Sequence, residues 1–230
     1  MARESTRRRG SGDDGGADVY GRVVDIVLPT LSRRSIHERR ATLTPMAVLH
    51  LLRHARPSPP REKEPDTPLS EQGIADAKAL IEPLRSLNVS RIVSSPLRRA
   101  LQTVEPFAKQ TGLPVETDPR LREREMPLAK SPEEHIERVR VSFDDSDYAP
   151  PGGESFRQTA DRALMCLQRY ATETPSGLLL VGHGLCLTLI HRSLDLSADF
   201  DFWVALPTPA IVELTVRDLA GDGTLRLNTR

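Results

Sequence analysis

The sequence predicts an α/β fold, a three-layer α/β/α sandwich around a mostly parallel sheet of about six strands. Three observations carry this expectation. From residue 47 onward, short apolar runs alternate with segments of helical periodicity, the order produced when helices cover both faces of a sheet. Two of those runs, 47–53 and 177–181, read as buried strands. A chain of 230 residues has room for one substantial core and a tail rather than two full domains, and no internal repeat is visible.

The elements follow in order. Residues 47–53 form the first strand, and a proline-rich loop, 56–68, leads to Ser70, a good N-cap. The helix after it places Ile74, Ala77, Ile81 and Leu84 at helical spacing, with Pro83 kinking or dividing it. Residues 91–94 read as a second strand. Ser95 then caps a helix with Pro96 at its first position, and Leu97, Ala100, Leu101 and Val104 form the inward stripe. A strand at 114–117 precedes an irregular charged region and a helix over 133–141. Residues 154–171 are more strongly helical, with Phe156, Ala160, Ala163, Leu164, Leu167 and Tyr170 on one face. The strand at 177–181 is followed by a helix over 185–194. Two last strands, 210–216 and 224–227, flank the turn Gly221-Asp222-Gly223.

Residues 1–45 differ from the rest. The run Arg7 to Gly16 cannot bury enough apolar surface to offset its ordering entropy, so a disordered leader is expected, and the two apolar patches after it make no convincing element. The folded domain is expected to span 46–230. Basic and acidic residues number 32 each, a balance that argues against a dedicated nucleic-acid partner. No segment has the apolar length of a membrane span, the N-terminal patches are broken by Asp25 and Pro29, and a cytoplasmic location is expected. Cys166 and Cys186 lie in apolar stretches and read as reduced core thiols.

The chemistry concentrates at Arg53-His54, where the backbone leaves the first strand. Ligands of open α/β sheets bind at such carboxyl ends. A neutral imidazole beside a fixed guanidinium can attack phosphorus while the cation holds the phosphoryl oxygens. Alone the pair is weak evidence; the segments downstream give it weight. Leu52-Arg53-His54-Ala55, Leu69-Ser70-Glu71-Gln72-Gly73, the run from Ser94 to Thr103, Leu121-Arg122-Glu123, Pro151-Gly152-Gly153-Glu154-Ser155 and Val181-Gly182-His183-Gly184 occur in that order. Together they resemble branch 1 of the histidine phosphatase superfamily, the phosphoglycerate mutase-like proteins, over residues 46 to about 216.

The resemblance implies a site in which His54 is the nucleophile and forms a phosphohistidine. Arg53 and Arg99 would grip phosphoryl oxygens with planar forks, and His183 would complete the cradle together with Gly184 and the helix N-terminus after it. Glu123 would protonate the leaving group. The family pattern sets the catalytic arginine directly before the alanine, which selects Arg99 over Arg98; Glu125 is the rival of Glu123. The glycines flanking His183 would allow close approach of a ligand. His50, His135 and His191 have no such context and read as structural or surface residues. The histidines show no metal-ligand spacing, and the chemistry needs neither metal nor other cofactor.

Two departures bear on function. Ala55 stands where many members have glycine. The stretch 57–67 lacks the asparagine- and glycine-containing segment that looks characteristic of the glycolytic mutases, which weighs against a mutase role. The expected activity is hydrolysis of a phosphomonoester through phosphohistidine. A phosphomutase and a non-catalytic phosphate-binding protein on the same fold are the alternatives. Arg56, Arg122, Arg124 and the loop 126–153 are expected to border the mouth, favouring a small acidic ester, with a phosphohistidine-bearing protein left open as substrate.

Overall fold

The computed structural model describes residues 22–24, 47–59, 67–174, 176–194 and 197–216. Its strands are β1 (Arg22–Val24), β2 (Ala47–Arg53), β3 (Arg91–Ser94), β4 (Val115–Thr117), β5 (Ser176–Gly182) and β6 (Ala210–Val216). Its helices are α1 (Glu71–Ala79), α2 (Ile81–Arg85), α3 (Arg98–Thr111), α4 (Pro132–Asp144), α5 (Phe156–Glu173), α6 (Gly184–Leu194) and α7 (Phe200–Ala205). The sheet order is β1-β6-β2-β5-β3-β4; every pairing is parallel except that of β2 with β6.

The period of two along each strand builds the three layers. Leu49 and Leu51 of β2 and Leu178 and Leu180 of β5 point to one face, where they pack with Ala163 and Leu167 of α5 and Leu187 and Ile190 of α6. Leu52, Leu179 and Val181 point to the other, where Leu80, Leu84, Ala100, Val104 and Phe107 meet them. A third cluster lies beyond the sheet. Val139 and Phe143 of α4, Phe156, and Leu185 and Leu189 of α6 pack there with Phe200 and Trp203 of α7.

Several local expectations are corrected. The helical stretch after Ser70 does divide, but at Leu80, three residues before Pro83. A proline has no N–H to offer the carbonyl four residues back and its ring crowds that carbonyl, so the break falls near Ala79. The buried stripe runs through Gly73, Ala77, Leu80 and Leu84, and Ile74 is exposed. Ser95 does not cap α3: the helix starts at Arg98, its N-cap is Leu97, and Ser95 turns into the site. The short helix α7, capped by Asp199 accepting from Phe202 N–H, has no counterpart in the sequence reading. Arg22–Val24, inside the expected leader, forms a strand on the outer edge of β6, so the sixth strand is this one. The strand expected at 224–227 and the rest of the leader lie outside the described residues.

One glycine is demanded by backbone geometry near the sheet. Gly177, the second residue of β5, has φ +73°, and a Cβ there would come to 2.5 Å from Asn88 O, so a side chain at this position would be strained and crowded.

Candidate active site

The parallel strands end together, and their ends carry the site. His54 N–H donates to Gly182 O at 3.0 Å and Ser95 N–H to Val181 O at 2.8 Å, which stitches the residues after β2, β3 and β5 into one floor. His54 and His183 rise from that floor with ring centroids 5.1 Å apart. Arg53 is the last residue of β2 and Arg99 lies in the first turn of α3, only 4% exposed. Arg98 beside it is exposed, so burial separates the two arginines as the expected pattern does.

The hydrogen bonding of His54 sets its chemistry. Nδ1 lies 2.7 Å from Ala55 O, an atom that can only accept, so Nδ1 carries the ring proton and Nε2 keeps its lone pair. Burial above all, aided by the positive charges of Arg99 and Arg53, lowers the imidazole to about 3, with the Ala55 bond acting in the opposite direction. The ring is therefore neutral at neutral pH and nucleophilic at Nε2. His183 is fully buried and also held well below the usual imidazole range, first by burial and then by His54, Arg99 and neighbouring arginines. Its Nε2 is 2.8 Å from Ser95 Oγ, which accepts Leu97 N–H at 3.3 Å. The tautomer in which the Ser95 hydroxyl donates to Nε2 places the ring proton on Nδ1. That atom is buried with no partner among the described residues, a donor available to a phosphoryl oxygen.

The cations are anchored from behind. Arg53 Nη1 donates to Leu206 O and, at 3.5 Å, to Pro207 O, while its buried Nε has no partner among the described residues. Burial lowers Arg53 and the nearby Glu123 carboxylate offsets part of that. Thr103, one turn along α3 from Arg99, accepts Ala55 N–H at 2.8 Å and donates to Arg99 O at 2.7 Å, tying the residue after the nucleophile to the helix that presents Arg99.

Glu123 faces the start of α6. Its Oε1 accepts Arg124 N–H at 2.9 Å and Cys186 N–H at 3.0 Å, and its Oε2 accepts Leu185 N–H at 3.1 Å. The helix N-terminus expected to hold a ligand anion is thus taken by this side chain, a favourable place for a carboxylate. Arg162 of α5 holds the loop: it donates to Arg120 O at 2.7 Å, Arg122 O at 2.8 Å and Glu123 O at 3.1 Å, and clamps Glu154 with both sides of its fork. Burial pushes the Glu154 carboxyl up, but Arg162 and Glu125 N–H outweigh it and the net shift is down.

The structure brings Arg53, His54, Arg99, Glu123 and His183 together and removes other candidates. Gly184 abuts Arg53 and Trp203: an added Cβ would lie 3.2 Å from Arg53 Cζ and 3.2 Å from Trp203 Nε1. Arg124, expected at the mouth, is 4% exposed and donates to Ser142 Oγ, Glu154 O and Tyr148 O, with Phe156 under its guanidinium. Arg122 pairs with the exposed Glu125, and Arg56 remains exposed. His50 is buried on β2 with Nδ1 3.6 Å from Glu213, and His191 stacks on Phe202. Ser95, Thr103, Arg162 and Trp203 were not singled out in sequence as site residues. The runs holding Ser95 and Thr103 do lie in the quoted motif, whereas nothing local marks the other two.

Comparison with known proteins agrees with this geometry. The family described as the histidine phosphatase superfamily (branch 1) matches residues 49–226. The chain is 32% identical over 167 residues to a Salmonella choleraesuis protein named probable phosphoglycerate mutase GpmB, covering 66% of this chain and 77% of that one. Among solved structures, a mycobacterial glucosyl-3-phosphoglycerate phosphatase superposes with a TM-score of 0.59 at 28% identity, covering 74% of this chain and 90% of that one. YhfR of Bacillus stearothermophilus gives 0.58 at 25% identity, covering 80% and 96%. No helix among the described residues is long and apolar enough to cross a membrane.

Proposed function

The chain belongs to branch 1 of the histidine phosphatase superfamily, and from that premise we propose that it is a phosphomonoesterase working through a phosphohistidine on His54, without metal or other cofactor. The observation that carries the reading is the locked tautomer of His54: Nδ1 donates to Ala55 O, and the Nε2 lone pair stands among Arg53, Arg99 and His183. The substrate is a small-molecule phosphomonoester, with a phosphohistidine-bearing protein as the other class such a site accommodates. The cytoplasm is the compartment that fits two buried free cysteines.

In the first step the ester dianion is gripped by Arg53 and Arg99, with Gly184 beneath Arg53 and His183 Nδ1–H on a third oxygen. Nε2 of His54 forms the bond to phosphorus as the ester P–O bond breaks, and the departing oxygen takes the proton that Glu123 must acquire before this step, when the ester dianion binds beside it. Oε2, which accepts a single backbone N–H, is the oxygen with capacity to carry that proton. The charge formed on the imidazole is stabilised through Nδ1–H by Ala55 O. In the second step Glu123, now a carboxylate, accepts a proton from water as water attacks phosphorus and the P–N bond returns its electron pair to Nε2. Buried donors aimed at the phosphoryl oxygens supply the electrostatic stabilisation of both steps.

Acid-labile, base-stable label on His54 after quenching with a phosphorus-labelled ester is the expected result, lost together with turnover in His54→Ala. Near wild-type turnover in His54→Ala would overturn the mechanism. A mutase reading draws on the GpmB relative, and phosphoenzyme lifetime separates it: rapid hydrolysis by water is expected here, whereas a mutase retains the phosphoryl group.

A further inference from the structure

The rim of the phosphoryl site does not have the basic character that its arginine-rich sequence implies. Arg124 is buried and bonded, and Arg122 pairs with Glu125. Arg138 pairs with Glu134 and donates to Pro127 O, while Arg140 lies 4.0 Å over the Phe200 ring. Arg56 stays exposed; beyond it, an acidic leaving group would have to draw on cations that already have partners.

What does reach the site is an indole. A Cβ built on Gly184 would lie 3.2 Å from Arg53 Nη2 and 3.2 Å from Trp203 Nε1, so the phosphoryl-gripping fork and the indole N–H converge over one piece of backbone. Their convergence is built in, because Leu206 ends α7 by donating its N–H to Trp203 O and accepts Arg53 Nη1 on its own carbonyl. Trp203 is only half-buried, and its Nε1–H has no acceptor among the described residues. Phe200, 5.8 Å away, and His135, 6.3 Å away, flank the ring, and Val204 beside it is exposed.

We propose that Trp203, backed by His135, is the leaving-group subsite of the phosphomonoesterase, and that it selects esters whose alcohol carries a flat apolar or aromatic ring over small acidic esters. The proposal rests on the hydrolytic reading of the site. The ring of the leaving group lies against the indole face, and the indole N–H faces the oxygen end of the ester beside Arg53. Aromatic contact of this kind adds to area burial, and truncated esters lose it.

The comparison uses 2-phenylethyl phosphate and ethyl phosphate, alcohols of similar leaving ability, with 3-phosphoglycerate as the acidic ester. In the full chain kcat/KM is expected to favour the phenylethyl ester over the ethyl ester by about tenfold or more, within the range of hydrophobic pocket discrimination. Trp203→Ala should cut that ratio at least about fivefold, and Trp203→Phe, which keeps a ring, should retain most of it. A ratio unchanged in Trp203→Ala overturns the proposal, as does a preference for 3-phosphoglycerate that Arg56→Ala abolishes. A binding measurement needs no variant, because Trp203 is the chain's single tryptophan. Its emission should shift on titration with 2-phenylethylphosphonate, and an emission that does not move overturns the subsite. Turnover of all three esters with a flat ratio defeats only this inference. Absence of both turnover and label on His54 defeats the hydrolytic reading with it.

Discussion

Replacing His54 by asparagine should flatten the acid limb of the protein's stability curve, and the size of the effect follows from the site. Burial, Arg99 and Arg53 hold the imidazole at about 3 in the folded chain, against an ordinary value of 6.5. Between those values the unfolded chain binds the proton and the folded one does not, so stability rises with pH. The contribution is complete above pH 6.5 and is lost as the pH falls toward 3. Linkage puts the loss at about 2 kcal/mol by pH 5 and about 3 kcal/mol by pH 4. His183 is lowered in both proteins, first by burial; in the variant it loses the contribution of His54, which flattens the acid limb of the variant in the same direction. Urea unfolding at pH 7.5, 6, 5 and 4 measures it. The gap between the wild type and His54→Asn should close, or invert, by about 2 kcal/mol between pH 7.5 and 5. Stability curves that stay parallel would show that burial and the neighbouring arginines do not hold His54 neutral at acid pH.

Glu123→Gln should slow alkyl phosphates by about 10²- to 10⁴-fold and p-nitrophenyl phosphate far less, since phenolate leaves without a proton; equal losses would move the acid role to Glu125 or Glu154. Arg162→Met strips Glu154 of its clamp and three loop carbonyls of their donor, so a stability loss of about 2–4 kcal/mol is expected by denaturant melting, and rescue of it by Arg162→Lys would contradict a fork-dependent role. Ser95→Ala should lower kcat for aryl and alkyl esters alike while thermal melting stays within a few degrees, because it frees His183 without opening a large cavity; an unchanged kcat would remove Ser95 from the positioning network. Deleting residues 1–45 uncovers one edge of β6 but leaves the edge bonded to β2, so kcat/KM should stay within about twofold, and a loss of activity beyond that would tie the leader to the site.

Much of this protein is local in origin and therefore legible in the chain. The apolar runs of 47–53 and 178–181, the Ser70 cap and the 3.6-residue stripe of α5 are set by neighbours a few positions away. Arg53 and His54 stand out at the end of one strand and His183 after another, whereas Arg99 and Glu123 could be named only through the resemblance of the ordered motifs. The partners of long polar side chains are decided at a distance. Arg162 reaches a loop some forty positions upstream, Arg53 binds a carbonyl 153 positions downstream, and Arg124 is buried over the Phe156 ring. Pairing of Arg22–Val24 with β6 is equally remote, and no local pattern announces a three-residue strand. Ser95 shows the boundary most plainly: read locally it is a helix cap, but the packed sheet brings His183 Nε2 within 2.8 Å of its hydroxyl. Local hydrogen bonding and side-chain periodicity are settled by near neighbours, so the sequence alone determined the layers and the order of the elements from β2 to β6, α7 excepted. The tertiary structure decided which of many similar arginines and carboxylates serve the site, because desolvation and long-range pairing exist only once the layers have closed.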